Sequence, residues 1–308
     1  MKPLEFHSGA NAAAQPQPRA GLTRRSLLLG AAGLATLVGP ATAAYAGIEA
    51  AQFLQVTRYR LTPPGWRAGH RLSITVIADL HAGGPNMGLA RIRNIVDVAN
   101  LQRSDLVVLL GDYFATHHFI TEIVAPDAWA GELARLQAPL GVYAVLGNHD
   151  WWNNVDNTRR AFADVKIPVL ENDALLLRQP GGRVWLTGLG DQLAHKLGPH
   201  RYRGVDDLAG TLKRVDTEDP VILLAHEPDI FPKVPDRVAL TLCGHTHGGQ
   251  IRIPFLWEHF VPSIYGARYA YGHIIEDGRH LIVSGGLGTS SIPARLGVRP
   301  EILRIEIG

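Results

Sequence analysis

The sequence predicts an α/β (or α+β) fold in which mixed β-sheets are covered by helices. Three observations carry this. Apolar runs alternate with helix-periodic stretches between residues 72 and 165. From about residue 169 onward, short apolar runs broken by turn residues read as hairpins and single strands. Polar clusters follow the apolar runs directly, and in such sheets the carboxyl ends of strands are where ligands collect.

Taken in order, Val56 to Leu61 alternates and reads as an edge strand before Pro63-Pro64-Gly65. Leu72 to Ala78 is a buried strand closed by Asp79-Leu80-His81. Leu89, Ile92, Val96 and Ala99 recur at helical spacing. Leu106 to Leu110 is a second strand ending at Gly111-Asp112, and a helix over about 127–137 follows with Asp127 as its N-cap. Val142 to Leu146 ends at Gly147-Asn148-His149-Asp150, and the next helix spans 154–165. Val169-Leu170 and Ala174 to Leu177 bracket Glu171-Asn172-Asp173 as a hairpin. Strands follow at 184–189, 221–225 and 238–243, then a hairpin over 269–283 and a last alternating strand at 302–307. No linker or repeat interrupts residues 47–308, which read as one domain.

Of 30 Lys and Arg and 28 Asp and Glu, residues 1–46 hold Lys2, Arg19, Arg24, Arg25 and Glu5. The remainder is close to neutral and lacks the basic excess of a nucleic-acid binder, so no nucleic-acid partner is expected. Cys243 is the only cysteine, which excludes an intramolecular disulfide. Thr23-Arg24-Arg25-Ser26-Leu27-Leu28-Leu29 and the apolar run to Val38 resemble a twin-arginine export signal, with Ala44-Tyr45-Ala46 as a cleavage site. Residues 1–46 are therefore expected to engage the twin-arginine export machinery. They would place the protein in the periplasm or cell envelope, tethered to the membrane if the signal is kept.

Eight strand-end residues stand out: Asp79, His81, Asp112, Asn148, His149, His226, His245 and His247. Burying two carboxylates and five imidazoles without partners is costly, and divalent cations remove that cost. The donors are oxygen and imidazole without thiolate, which suits Mn, Fe, Zn, Mg or Co and excludes a structural zinc knuckle. There are more donors than one ion needs, so two divalent metal ions are expected.

Asp79-x-His81, Gly111-Asp112, Gly147-Asn148-His149-Asp150, His226 and Gly244-His245-Thr246-His247 together resemble, in order, the motifs of the calcineurin-like metallophosphoesterases. His247-Gly248-Gly249-Gln250, Gly285 to Ser290, Pro293-x-Arg295 and Pro300-Glu301-Ile302 resemble its exported or membrane-associated bacterial branch, the YkuE/YaeI-like phosphodiesterases. The resemblance implies a four-layer fold, two mixed sheets packed as a sandwich and flanked by helices. It implies one metal on Asp79, His81 and His247, another on Asn148, His226 and His245, and Asp112 bridging them. It implies hydrolysis of a phosphoester, most simply a phosphodiester, by a metal-bridged hydroxide, with His149 contacting the phosphate and protonating the leaving oxygen. Many members place a second Asp three residues after the bridging one, where this chain has Ala115. Asp150 or a backbone carbonyl is then expected to orient His149.

Trp151, Arg252, Trp257 and Arg295 are candidate substrate contacts; loop packing or solvation is the competing reading for each. His117 and His118 read as solvated loop residues. The apolar stretch Ile253 to Phe260 reads as core, or as a lid or peripheral membrane contact for a lipid-linked substrate. Two other functions share these residues: a UDP-sugar-lipid pyrophosphatase, and a non-catalytic interaction module of the same fold.

Overall fold

The computed structural model describes residues 39–116 and 119–308. The twin-arginine run lies outside them, as do His117 and His118. Residues 43–52 are helical (α1), and Ala43–Gly308 forms one compact unit. The Ala44-Tyr45-Ala46 stretch lies within α1, where Ala46 is buried and its carbonyl accepts a hydrogen bond from the Arg295 N–H at 3.0 Å.

Two sheets form the centre. The first runs β1 (Gln55–Leu61), β13 (Glu301–Ile307), β2 (Leu72–Ile77), β3 (Leu106–Leu110) and β4 (Val142–Val145), in that spatial order. The second runs β11 (Gly272–Glu276), β12 (Arg279–Val283), β10 (Val238–Cys243), β9 (Val221–Leu224), β6 (Gly182–Gly188) and β5 (Asp173–Gln179). Strands β2, β3 and β4 are mutually parallel, as are β6, β9, β10 and β12. Antiparallel β13–β2, β11–β12 and β5–β6 pairs make both sheets mixed.

The central strands β3, β9 and β10 are buried along their whole length because both faces are covered. Leu106, Val108 and Leu110 point into the layer between the sheets, where they meet Leu186, Ile222, Leu224, Leu240 and Leu242. Val107 and Leu109 point outward to α2 (Leu89–Leu101), α3 (Pro126–Leu133) and α4 (Asn148–Asp164), through Ile92, Val96, Trp129 and Phe162. The outer face of the second sheet packs Val221, Leu223, Leu281 and Val283 under Ile230, Phe231 and Tyr269. Each such fully buried Val or Leu contributes about 1.5–3 kcal/mol, so four layers are held by these three apolar interiors. Among the described residues no helix is long and apolar enough to cross a membrane.

The structure moves some boundaries. Helix α4 starts at Asn148, and residue 154, expected as its start, is a kink with φ −160° and ψ 89°. Pro126 occupies the first turn of α3 with Ala125 as its cap, so Asp127 sits inside the helix beside its positive end and is not the N-cap. The turn expected at Glu171 to Asp173 is not a hairpin: Val169 bridges to Ala144, and β5 pairs with β6 across the tighter Gln179–Gly182 turn. A small hairpin, β7 (His195–Gly198) and β8 (Arg201–Arg203), and a short α5 (Leu208–Lys213) were not expected, since neither has the apolar periodicity that marks the core elements.

Candidate metal centre

The predicted ligands converge where β2, β3, β4, β9 and β10 end. Each strand delivers its polar residue by an abrupt turn. Asp79, His81, Asp112, His245 and His247 all take left-handed backbone conformations, with φ between 46° and 70°. Such conformations cost a non-glycine residue of order 1–3 kcal/mol and persist where surrounding contacts over-determine them. Those contacts are visible. The N–H groups of Asp79 and His81 donate to Gly111 O and Asp112 O, and His245 N–H donates to Asp79 Oδ1 at 2.8 Å. Glycines make room for the side chains. A Cβ on Gly244 would stand 2.7 Å from Asp79 Oδ2, and one on Gly147 would stand 2.7 Å from His226 Cε1.

Two triads result. One donor atom from each of Asp79, His81 and His247 lies within 4.8 Å of the others, and the same holds for Asp112, His226 and His245. Asp112 joins them, with Oδ2 3.2 Å from His226 Nε2 and 3.5 Å from His81 Nε2. Asn148 Oδ1 lies 2.9 Å from His245 Nδ1, which adds it to the second group. All seven side chains are buried.

Outer hydrogen bonds set three of the imidazoles. His81 Nδ1 donates to Phe114 O at 2.8 Å, His226 Nδ1 to Leu110 O at 2.6 Å, and His245 Nε2 to Pro262 O at 2.9 Å. In each, the other nitrogen faces the centre, the arrangement that raises ligand basicity. His247 Nδ1 faces Arg295 Nη2 at 3.1 Å.

Protonation follows from burial and charge. Burial, with Asp112 adding to it, pushes the Asp79 carboxyl up to about 7 against the pull of His226. Burial also works to raise Asp112, but His226, His149 and His81 around it hold it well below the usual carboxylate range. Burial brings His81 down to about 3 and lowers His245 and His247, which keeps them neutral and able to ligate. His226 goes the other way: burial works to lower it, but Asp112, Glu227 and Asp79 together raise it. Asp79 Oδ2 and His226 Nε2 are buried without a hydrogen-bond partner. Two such atoms facing an oxygen- and imidazole-rich centre fit divalent cations, which satisfy both.

His149 stands at the edge, its side chain 15% exposed, with Nε2 4.0 Å from Asp112 Oδ2. Its Nδ1 pairs with Thr116 Oγ1, a residue the sequence did not single out. Asp150 has another task. It accepts 2.9 Å bonds from the N–H groups of Asp112, Tyr113 and Gly147, and no hydrogen bond links it to the His149 ring.

Of the four candidate substrate contacts, Arg252 and Trp257 pack against each other. Arg295 is fully buried and donates to Gly285 O, Gly288 O and Val298 O beneath His247. Arg252 donates to Gly248 O and stacks on Trp257 and Tyr271. Trp257 packs against Gly249. Trp151 packs on the helical core, its ring 5.2 Å from His195 and 4.9 Å from the Arg159 guanidinium. Its neighbour Trp152 is the one beside the centre, its ring 5.1 Å from that of His149. With α4 beginning at Asn148, residues 149 and 152 are three apart on one helix face, and that spacing was the available signal.

The family model for the calcineurin-like phosphoesterases matches residues 72–249. The chain is 30% identical over 274 residues to an uncharacterized metallophosphoesterase of Aquifex aeolicus, covering 89% of this chain and 97% of that one. It is 30% identical over 260 residues to the phosphodiesterase YaeI of Escherichia coli (79% and 89% covered). It is 31% identical over 222 residues to the uncharacterized metallophosphoesterase YkuE of Bacillus subtilis (70% and 71%). The chain spans about half (53%) of a longer relative, the Danio rerio transmembrane protein with metallophosphoesterase domain. With its motifs in order and two buried triads joined by Asp112, the chain belongs to the calcineurin-like phosphoesterases, hydrolases of phosphoester bonds.

Proposed function

We propose that the protein is a phosphodiesterase that uses two divalent metal ions on an envelope or periplasmic substrate. The observation that carries this is Asp112, a carboxylate held ionised between two buried triads with His149 at their open edge. Asp79, His81 and His247 would hold one ion and Asn148, His226 and His245 the other, with Asp112 shared. When bound, divalent cations supply Lewis-acid charge for the phosphoryl oxygens and bring the pKa of water toward neutrality.

The chain's own residues do the rest. Asp150 fixes the Asp112 turn against the start of α4, so the shared carboxylate is pre-positioned. Thr116 holds His149 Nδ1 and leaves Nε2 for the substrate. Burial lowers the His149 pKa; an anionic phosphoester beside it works in the opposite direction, and His149 Nε2 then gives its proton to the leaving oxygen. Support for the envelope location comes from the twin-arginine pattern at residues 23–29, so residues 1–46 are assigned as the export signal and 47–308 as the catalytic domain.

The test is metal analysis of the purified full chain with assay on bis-p-nitrophenyl phosphate. Metal-dependent release of p-nitrophenol, abolished in Asp112→Asn, is the expected result. A protein that binds no metal and releases no product refutes the reading and points to an interaction module.

A further inference from the structure

Beside His149 stands a cation that the chemistry above leaves unused. Residues 195–203 contain Lys196, Arg201, Arg203 and two histidines but no carboxylate. They form the β7–β8 hairpin, in which Lys196 pairs with Tyr202. Lys196 Nζ sits 3.6 Å from the centroid of the Trp152 ring. That ring is fixed: its Nε1 donates to Leu193 O at 2.9 Å, and it stacks on Tyr202 at 5.6 Å and 19°. The same ring is 5.1 Å from His149. Among the described residues no carboxylate lies within 4.0 Å of the ammonium.

An exposed lysine normally spreads over many rotamers in water. Here a rigid aromatic face holds the charge at one place, and a cation–π contact at an exposed site is weak enough to yield to a phosphate oxygen. The place is informative. His149 marks the side from which the leaving group departs, and the Lys196 ammonium shares the Trp152 ring with it.

We propose that Lys196, seated on Trp152, is a specificity-determining residue that binds a second phosphate carried by the leaving group. The protein then prefers phosphoesters whose leaving group is itself anionic, joined through an anhydride or borne on a phosphorylated alcohol, over those with a neutral one. This rests on the reading of His149 as the leaving-group residue.

The test is direct binding to the metal-loaded full chain by titration calorimetry, which does not require turnover. One pair of probes is inorganic phosphate and pyrophosphate, for the anhydride. The other is inositol 1-phosphate and inositol 1,4-bisphosphate, for the phosphorylated alcohol. In at least one pair the wild type is expected to bind the doubly phosphorylated probe about tenfold more tightly. Lys196→Gln should remove that preference while changing affinity for the single phosphate less than twofold, and Lys196→Arg should restore most of it. The pair that responds identifies the kind of linkage. Equal loss for both members of a pair, or no loss in either pair, overturns the proposal. A protein that shows the preference yet does not hydrolyse bis-p-nitrophenyl phosphate would overturn the phosphodiesterase reading and leave the subsite standing.

Discussion

Asp150→Ala tests how the shared carboxylate is held. Asp150 is fully buried, and its two oxygens accept three backbone N–H bonds, each 2.9 Å long, from Asp112, Tyr113 and Gly147. Hydrogen bonds to a charged group are worth about 1.5–3 kcal/mol each, and leaving the donors buried and unpaired adds to the loss. Against this, burial and the Asp112 charge push the Asp150 carboxyl up to about 7, so its removal recovers part of an unfavourable desolvation. The net falls near the cost of breaking a buried charged network, roughly 3–5 kcal/mol. At about 2–4 °C per kcal/mol for a domain of this size, the variant should melt roughly 6–20 °C lower. Asp150→Asn keeps the volume and one acceptor oxygen, so it should lose about half as much. The measurement is urea unfolding of chelator-treated protein, with the denaturant slope unchanged between variants. A loss under about 1 kcal/mol for Asp150→Ala, or an Asn variant weaker than the Ala one, would refute the reasoning.

Three further outcomes follow from the same geometry. Thr116→Val frees the His149 ring and should lower kcat on bis-p-nitrophenyl phosphate about ten- to a hundredfold, with His149→Ala falling further; metal content by mass spectrometry should hold in both, and wild-type turnover in either would sink the role. Gly147→Ala places a Cβ against Asp112 Oδ1 and His226, so its second ion should bind at least tenfold more weakly, checked by competition with a chelating dye. Metal affinity should rise with pH across pH 6 to 8. The Asp79 carboxyl is pushed up to about 7 and the His226 imidazole is raised, so at lower pH an incoming cation must displace their protons; pH-independent affinity between pH 6 and 8 contradicts this.

Much of the centre was legible because it breaks a rule. A carboxylate or imidazole directly after a fully apolar strand has no cheap place to go, so Asp79, Asp112, His226 and His245 announced themselves. The layers were legible for the opposite reason, since runs such as Leu106 to Leu110 need cover on both faces. What was missed depends on three-dimensional placement. Thr116 and Lys196 are ordinary loop and hairpin residues until the fold sets them beside His149 and Trp152. Arg295 looks like a surface cation in one dimension; only the carbonyls of Gly285, Gly288 and Val298, brought together by the chain's last loops, make its burial affordable. Next to His149 in sequence, Asp150 looks like a partner for its ring, whereas its position in the first turn of α4 aims it back at backbone N–H groups.

The two triads also bear on how the sandwich is joined. Asp79, His81 and Asp112 hang from the first sheet, and His226, His245 and His247 from the second, so neither sheet owns a complete set. Any ion seated there is a cross-link between halves, closing a loop as long as the 166 residues that separate Asp79 from His245. Loss of the ion would free one rim of the molecule while the opposite rim stays zipped by leucine and valine. The expected signature is hydrogen exchange that quickens at residues 79–82, 111–115 and 244–249 and leaves the far ends of the same strands unmoved.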